Sequence, residues 1–428
     1  MGPKGVVKPV SVFRGIVERR FLPRAAGALL GLVALLALSR AGHAARPVVT
    51  IAVNPGGSYQ TMHGILLPEF ERAHPQIDLR VELVTAPAQQ IPVRHAAGTA
   101  PDVYILSSYT VPEYIVNQMV APVRLDVFGV TTYEELAAQY VPGFDQLLLH
   151  DGKVYWIPLE VNSFALYFNP DHFAQAGVAE APATWEDVLT LVNRLDAQKD
   201  DPDAPTSITW QAGAFWAVAW WITFLRQNGV EWLNDAGEPQ FNHPLARRAL
   251  EAYAAFFDGR RTSTAWTDFA NGRTTLMPGA TYQMFHILRT GTGVAPAVAP
   301  FPALKGGTRS SPTYAAGWVV STQSEHPEAA WRLVRLLSGP EQAERWWREV
   351  LLLQPRRGEW VNPILGEYPW LQIFLDEFAH AHHYVYHPNY VMVRDAIDWA
   401  NRALIGGAAD LGAILERLQT ELSAAVKR

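Results

Sequence analysis

The clearest pattern of apolar and polar positions lies near the middle of the chain. Two strand-like runs, Val154–Pro158 and Ala165–Phe168, flank a polar break that contains Glu160, Asn162 and Ser163. No helical periodicity separates the two runs. Two extended segments joined by a few polar residues predict a chain that crosses from one packed unit to another.

The remainder of the chain alternates strands with helices. Val48–Val53 is a β-branched run typical of a buried parallel strand, Tyr59–His74 has apolar residues at helical spacing, and Ile77–Val84 alternates as a strand does. Further strands are predicted at Val103–Leu106, Ser207–Trp210, Thr274–Met277, Gly293–Val298 and Thr313–Ser321. Further helices are predicted at Gln89–Ala97, Tyr133–Gln139, Phe144–Leu149, Asp171–Ala176, Thr184–Leu195, Ala212–Gln227, Pro244–Phe257, Pro327–Leu337, Gly339–Val350, Leu371–Ala381, Tyr390–Ala403 and Asp410–Val426. This alternation indicates an α/β fold with mainly parallel sheets.

Length and composition favour two domains and exclude several classes of function. The chain has 428 residues, which is more than one ordinary α/β domain needs, and 49% of them are hydrophobic. Beyond residue 45, 28 basic residues face 40 acidic ones, a formal charge of −12 without the basic patch of a nucleic-acid binder. The absence of cysteine excludes disulfides, thiolate metal sites, cysteine nucleophiles and a lipid-modified cysteine.

The N-terminal 45 residues are predicted to be an export signal. Four arginines precede Ala25–Leu38, an apolar run of 14 residues that is shorter than the ~20 residues a membrane-spanning helix needs. Small residues at Gly42 and Ala44 predict cleavage near Ala44 and a periplasmic location. An uncleaved membrane anchor is the alternative.

Several short motifs, in order along the chain, match those of one transport family. They are GTAPDV at 98–103, DGKVYWIP at 151–158, LYFNPDHF at 166–173 with Phe168 in place of a tyrosine, PATWED at 182–187, EAAW at 328–331 and Leu337-Ser338. In these motifs the chain resembles the bacterial extracellular solute-binding proteins of ABC importers, in particular the group that includes maltose-binding and glycerol-3-phosphate-binding proteins.

The resemblance implies a two-lobe periplasmic-binding-protein-like fold (type II) whose discontinuous lobes are joined by hinge crossings. The N-lobe is expected at residues 46–158 plus 317–370, and the C-lobe at 159–316 plus 371–428. A sugar would bind in the cleft and be delivered to ABC permease subunits in the membrane. The implied protein is a monomer without cofactor, enzymatic activity or nucleic-acid partner.

A sugar-binding cleft needs carboxylates, amides and hydroxyls for the sugar's rim and aromatic rings for its apolar faces. Candidates lie on loops at strand ends and beside the crossing. The expected solute-binding residues are Asn54, Ser58, Tyr59, Ser107, Ser108, Tyr109, Glu160, Asn162, Trp210, Gln211, Trp216, Thr281, Tyr282, Gly317, Trp318 and Arg356.

Each candidate has a structural alternative. Ser58 has the position of a helix N-cap, and Glu160 could pair with an arginine inside the hinge. Trp318 lies in an expected second crossing, residues 314–318, and its ring could equally stack on the solute or pack in the core. Trp220 and Trp221 are predicted to be core residues. Residues 279–282 resemble a small-residue loop of the family. Arg356 resembles an arginine that binds anionic solutes in phosphate-binding relatives, with surface solvation as its alternative, so glycerol-3-phosphate is the second candidate solute.

The sequence also bears on functions other than solute transport. Four histidines lie between His380 and His387, but their spacing fits no tetrahedral zinc signature and predicts a solvated helix-end loop. The chain lacks G-x-S-x-G, H-E-x-x-H and phosphate-loop motifs. A secreted carbohydrate-active enzyme would need a second carboxylate roughly 5–10 Å from Glu160. A binding protein coupled to a chemoreceptor, without transport, is a third possibility.

Overall fold

A computed structural model describes most of the chain after residue 45. The described residues are 46–53, 57–85, 87–142, 144, 148–197, 204–257, 262–290, 294–383, 385–407 and 410–427. The expected export signal and Asn54 lie outside them, as does the side chain of Ser58.

The described residues form the following strands and helices. The strands are β1 (Val48–Val53), β2 (Asp78–Leu83), β3 (Val103–Ser107), β4 (Leu149–His150), β5 (Lys153–Val154), β6 (Ile157–Asn162), β7 (Phe164–Phe168), β8 (Thr206–Ile208), β9 (Thr274–Ala280), β10 (Ala297–Ala299), β11 (Ser311–Val320) and β12 (Ala381–His383). The helices are α1 (Gly57–Ala73), α2 (Pro87–Ala96), α3 (Val111–Val116), α4 (Leu125–Phe128), α5 (Tyr133–Ala137), α6 (Pro170–Gln175), α7 (Trp185–Ala197), α8 (Ala214–Gln227), α9 (Pro244–Ala254), α10 (Trp266–Ala270), α11 (Thr281–Thr290), α12 (Pro327–Ser338), α13 (Pro340–Val350), α14 (Val361–Glu367), α15 (Leu371–Glu377), α16 (Tyr390–Ile405) and α17 (Leu411–Ala425).

The strands form two mixed sheets and a small hairpin. A six-stranded sheet has the order β12-β11-β3-β1-β2, with β6 paired to β11, and a four-stranded sheet has the order β10-β7-β9-β8. β1 is parallel to β2 and β3, but β11 is antiparallel to both β3 and β6, and β7 is antiparallel to both β9 and β10. The prediction of mainly parallel sheets is therefore wrong, because alternation of strands and helices does not fix the direction in which distant strands pair.

A few local predictions also differ from the structure. α1 begins at Gly57, so Ser58 lies inside its first turn rather than at its N-cap. Leu149, the expected end of a helix, begins strand β4. The loop expected at residues 279–282 is absent, because β9 ends at Ala280 and α11 begins at Thr281.

The chain crosses from one sheet to the other at Ser163, within the segment in which the sequence predicts a crossing. β6 belongs to the six-stranded sheet and β7 to the four-stranded sheet, with only Ser163 between them. Ser163 is fully buried; its Oγ donates to the Phe374 carbonyl oxygen at 2.6 Å, and its N–H donates to Thr281 Oγ1 at 3.2 Å. The crossing is thus a single hydrogen-bonded residue, and the polar break predicted from the sequence is the end of β6.

Strand β7 has a different hydrophobic core on each of its faces. Ala165 and Tyr167 pack into a core that also surrounds the six-stranded sheet, whereas Phe164 and Leu166 pack into a second core around α8. Alternate residues of a strand point to opposite faces, so this division follows from the pleat.

The histidine-rich segment is not a wholly solvated loop. His382 lies on β12, is buried, and has its Nδ1 at 2.9 Å from Ser310 Oγ. The prediction of a solvated helix-end loop is therefore wrong at His382, because β12 pairs with β11 and carries the side chain inward. No group of side chains suited to a metal ion occurs among the described residues.

Candidate functional site

The candidate site is built around Glu160, a buried carboxyl group near the end of β6. Glu160 is 8% exposed, and its carboxylate accepts a hydrogen bond from the Tyr59 hydroxyl. In the described part of the chain no lysine or arginine forms an ion pair with it, so the expected alternative of an arginine partner in the hinge is not seen. Burial raises the pKa of Glu160 to about 7, and the Tyr59 hydrogen bond opposes part of that rise.

Asn162 lies two residues after Glu160 and projects from the same face of β6. Its side chain is 2% exposed, and its Oδ1 accepts a hydrogen bond from the Tyr282 N–H at 3.0 Å. Its Nδ2 is buried and has no hydrogen-bond partner in the described structure. A buried donor of this kind usually has a partner, so Asn162 Nδ2 is suited to an acceptor on a bound molecule.

Three tyrosines from three separate segments lie close to the Glu160 carboxyl group. Burial raises the pKa of Tyr59 and of Tyr282, the latter to about 12, and the negative charge of Glu160 raises both further. Burial also raises the pKa of Tyr109, with a smaller contribution from Glu160. We call Glu160, Asn162, Tyr59, Tyr109 and Tyr282 the Glu160 cluster.

Further aromatic rings extend the cluster; Phe215, Trp216 and Tyr314 are half-buried, whereas Tyr390 is buried. The Tyr109 ring centroid lies 5.6 Å from that of Phe215 and 4.6 Å from that of Tyr390. Phe215 lies 5.0 Å from Tyr314, and Trp216 is stacked on Trp220 at 5.5 Å. Polar groups beside partly exposed aromatic faces form the combination that carbohydrate recognition requires. The expected solute-binding residues did not include Phe215, Tyr314 or Tyr390.

Arg394 is the basic residue that sequence reasoning missed at this site. It lies one turn after Tyr390 on α16, and its side chain is 31% exposed and pairs with Asp395. Its positive charge partly offsets the burial that raises the pKa values of Tyr109 and Glu113. The i, i+4 spacing of an aromatic residue and an arginine was the only sequence signal for it.

Several expected site residues use their polar groups within the protein. Ser108 Oγ accepts from the Ala315 N–H at 3.2 Å, and Thr281 Oγ1 donates to the Ser163 carbonyl oxygen at 3.0 Å. Gln211 Nε2 donates to the Pro278 carbonyl oxygen at 3.2 Å. Ser107, by contrast, forms a side-chain hydrogen bond with Tyr109 and so supports a member of the cluster.

Trp210 is a core residue and not part of the cluster. It is 1% exposed, and its ring centroid lies 5.3 Å from that of Trp185 and 5.2 Å from that of Tyr253. Its faces are therefore occupied by other rings. Trp220 and Trp221 are fully buried, as predicted.

Gly317 and Trp318 also have structural environments. Trp318 is fully buried with its ring centroid 5.4 Å from that of His63. A Cβ atom on Gly317 would lie 2.5 Å from the Ile157 carbonyl oxygen, so the glycine permits the close pairing of β11 with β6. The space beside Gly317 is therefore filled by the backbone of β6 and is not available to a solute.

Arg356 is held inside the protein. It is 5% exposed; its Nε donates to the Ser338 carbonyl oxygen at 2.8 Å, and its Nη1 donates to Gln139 Oε1 at 2.9 Å. Its guanidinium carbon lies 4.9 Å from the Tyr140 ring centroid. The alternative of surface solvation is therefore wrong, and the contacts assign Arg356 a packing role outside the Glu160 cluster.

The raised pKa of Glu160 predicts a specific pH dependence of stability. Because the folded-state pKa lies above the ordinary value of 4.5, protonated Glu160 favours folding, and this stabilisation is lost as pH rises through about 7. The shift corresponds to about 3 kcal/mol. We expect Glu160→Gln to abolish this part of the pH dependence, so that its free energy of unfolding falls less than the wild-type value between about pH 5 and pH 8. Chemical denaturation at several pH values measures it, and parallel pH curves would contradict the prediction.

Comparison with known proteins places these features in a family. Residues 54–344 match the family described as bacterial extracellular solute-binding protein. A binding protein of Brucella abortus (strain 2308) is 24% identical over 327 residues, which are 73% of this chain and 76% of that protein. An arabinooligosaccharide-binding protein of Halalkalibacterium halodurans is 25% identical over 255 residues, 55% of each chain. The sn-glycerol-3-phosphate-binding periplasmic protein UgpB of Rhizobium meliloti is 27% identical over 206 residues, 44% of this chain and 46% of that protein.

Solved structures show the same fold. An ABC substrate-binding protein of Listeria monocytogenes in complex with cycloalternan superposes with a TM-score of 0.75 at 16% identity, covering 89% of this chain and 98% of that one. Maltose-bound MalE3 of T. maritima gives 0.75 at 20% identity, covering 88% and 98%. The predicted two-lobe α/β fold of the periplasmic binding proteins is confirmed.

The family is described as extracellular and solute-binding, and the UgpB relative is named as a periplasmic binding protein. None of the helices in the described residues is long and apolar enough to cross a membrane. Since the family match covers more than half of the chain, and the resemblance seen in the sequence motifs agrees with it, this chain belongs to the bacterial extracellular solute-binding proteins.

Proposed function

We propose that the protein is the extracytoplasmic substrate-binding component of an ABC importer and that its solute is a mono- or oligosaccharide. The observation that carries this proposal is the Glu160 cluster, in which a buried carboxyl group and an unpaired buried amide N–H₂ are flanked by aromatic rings. Hydroxyl groups of a sugar both donate and accept, so they can satisfy Glu160 and Asn162 together. Tyr59, Tyr109, Tyr282 and Trp216 would contact the apolar faces of the sugar.

The proposed motion is closure of two lobes about Ser163. We assign residues 46–162 plus 314–370 to the N-lobe and 164–313 plus 371–428 to the C-lobe. Both boundaries differ from those expected from the sequence, because the pairing of β6 with β11 reaches as far as Asn162 and Tyr314. Tyr59 and Glu160 would belong to the N-lobe, and Tyr282 and Phe215 to the C-lobe. A solute that contacts both groups stabilises the closed form by its differential affinity.

The names of similar proteins support a carbohydrate. One relative is a multiple sugar-binding protein of Streptococcus mutans and another binds arabinooligosaccharides. Solved structures of the same fold carry maltose and cycloalternan. By this proposal the closed, loaded form is recognised by permease subunits in the membrane, and residues 1–45 direct export to the periplasm.

We further propose that the protein has no catalytic activity. Glycoside hydrolysis uses two carboxyl groups across a cleft. In the described residues only burial and the Tyr59 hydrogen bond shift the pKa of Glu160, so no second acid acts on it there. An open groove with two facing acids, which the enzyme reading requires, is therefore not supported.

An anionic polyol such as glycerol-3-phosphate is the second candidate solute, and Arg394 is the observation that favours it. Arg394 is partly exposed beside Tyr109, whereas Arg356 is buried by protein contacts.

We expect Arg394→Ala to leave the affinity for a neutral sugar within about threefold and to weaken glycerol-3-phosphate binding by about 100-fold, because only the anion loses a charge-assisted hydrogen bond. Calorimetric titration of both solutes checks this, with Arg248→Ala on α9 as a control at a distant exposed arginine. A large loss of neutral-sugar affinity would contradict it.

The proposed function is tested by thermal unfolding with a panel of sugars, oligosaccharides and polyol phosphates. A true solute at a hundredfold excess over its Kd stabilises the folded protein by about 2.7 kcal/mol, which shifts the melting temperature measurably. We expect at least one carbohydrate to produce this shift in the wild type and a much smaller one in Glu160→Ala. If no carbohydrate or polyol phosphate raises the melting temperature, both solute assignments fail.

A further inference from the structure

A groove with a volume of about 940 Å³ lies beside the crossing. Its walls come mainly from the segments 353–361 and 375–381, and Arg309 also lines it. The second segment begins directly after Phe374, whose carbonyl oxygen accepts the hydrogen bond from Ser163 Oγ. In the described structure none of the lining residues belongs to the Glu160 cluster, so the groove is distinct from the proposed solute site.

The groove is basic, although the chain as a whole is acidic. Three arginines line it, Arg309, Arg356 and Arg357, and Asp376 is the only acid among its described lining residues. Arg309 donates to the buried Glu377 carboxylate at 2.6 Å, so one of the three positive charges is neutralised. Beyond residue 45, by contrast, 28 basic residues face 40 acidic ones. The local excess of positive charge favours an anion as the ligand of this groove.

Arg356 is a buried cation without a carboxylate partner. It is 5% exposed and forms no ion pair in the described part of the chain. Ser338, Gln139 and the Tyr140 ring hold the guanidinium in place, but all three are neutral, and Nη2 donates no hydrogen bond to any described residue. Burying an unpaired charge is costly, so an anion bound in the groove would supply the missing counter-charge.

Gln354 provides a second, independent sign of a ligand. It lines the groove two residues before Arg356 and is 2% exposed, yet neither its Oε1 nor its Nε2 has a hydrogen-bond partner in the described structure. Buried amides are normally hydrogen-bonded. A carboxylate or phosphate group has several acceptor lone pairs, so it can accept from Gln354 Nε2 and Arg356 Nη2 together.

Apolar side chains complete the walls of the groove, among them Trp360, Leu375 and Phe378. Apolar walls with a few convergent polar groups are typical of sites for small organic molecules. We propose that this groove binds a small organic anion, whose carboxylate or phosphate is held by Gln354 and Arg356 and whose apolar part packs against Trp360 and Phe378. The site is independent of the solute that the Glu160 cluster binds.

Calorimetric titration of the purified full chain with phenyl phosphate and with phenylacetate tests the site. The two probes carry the two anionic head groups on the same kind of apolar body. We expect at least one of them to bind, and neutral benzyl alcohol to bind at least about tenfold more weakly, because it lacks the charge that Arg356 requires. If neither anion binds, or if benzyl alcohol binds as tightly, the proposal fails.

Gln354→Leu is the sharpest variant, because it removes an amide that has no partner in the described structure. It should weaken binding of the anion by about tenfold and leave the melting temperature at or above that of the wild type. Arg356→Met should weaken binding by at least about 30-fold, and thermal unfolding verifies that this variant is folded. The matched control is Arg248→Ala, at an exposed arginine on α9, which should bind the anion as the wild type does.

Arg394→Ala distinguishes the groove from the Glu160 cluster, since an anion held in the groove should still bind to this variant. Loss of binding in Arg394→Ala together with full binding in Gln354→Leu would place the anion in the cluster and overturn the proposal. A Gln354→Leu variant that unfolds at a markedly lower temperature would also contradict it, because the amide would then be a structural group. Unchanged binding in a folded Arg356→Met variant would exclude the proposed role of its charge.

Discussion

Replacing Glu160 with alanine is expected to weaken solute binding by about 100-fold while leaving the protein folded. A hydrogen bond from the solute to a charged group is worth about 1.5–3 kcal/mol. No ion pair in the described residues competes with the solute for the Glu160 carboxyl group. The substitution removes a buried carboxyl group whose charged form is unfavourable at neutral pH, so folding should lose little. Calorimetric titration and denaturant unfolding of the same samples measure the two effects.

The matched control is Glu359→Ala, which removes an exposed carboxylate outside the Glu160 cluster. It should change neither binding nor stability. The opposite result for Glu160→Ala, a loss of folded protein with unchanged affinity per folded molecule, would assign Glu160 to the structure of the crossing and not to the solute.

Replacing Trp210 with alanine should have the reverse effect. Trp210 packs within a group of buried rings, so its removal leaves a cavity that costs about 3–5 kcal/mol of unfolding free energy. Solute affinity per folded molecule should stay within about twofold, since Trp210 does not belong to the Glu160 cluster. Denaturant unfolding gives the stability, and titration well below the unfolding transition gives the affinity.

Trp216→Ala is the informative comparison, because Trp216 is half-buried near the start of α8, the helix that follows Trp210 in the chain. It should lose more solute affinity and less stability than Trp210→Ala. If Trp210→Ala abolished binding in a protein of near wild-type stability, the assignment of Trp210 to the core and not to the site would be wrong.

Local pattern was sufficient to find many of the elements and the crossing. The β-branched run of β1, the helical spacing of α1 and the two apolar runs around Glu160 are properties of short segments, and each is present in the structure. Pairing direction was not predictable in this way. β11 meets β3 and β6 in antiparallel orientation across more than 150 residues of sequence, and no local signal records that choice.

The site was predicted in part for the same reason. Glu160 and Asn162 interrupt an apolar run, where an unpaired polar residue is costly, and both lie at the centre of the cluster. Trp210 and Trp216 are six residues apart, yet Trp210 is buried among rings from distant segments whereas Trp216 is half-buried. Arg356 and Arg394 show the same difficulty: the first is buried by contacts with Ser338 and Gln139, and the second lies beside Tyr109.

The most direct test of the central claim is a crystal structure of the protein with its bound solute, either co-purified or identified from the panel. We predict a solute enclosed between the two lobes, with oxygen atoms within hydrogen-bond distance of Glu160 and of Asn162 Nδ2, and with an aromatic ring of the Glu160 cluster or Trp216 against its apolar face. A solute bound elsewhere, with the Glu160 carboxyl group and the Asn162 amide still enclosed by protein alone, would contradict the account.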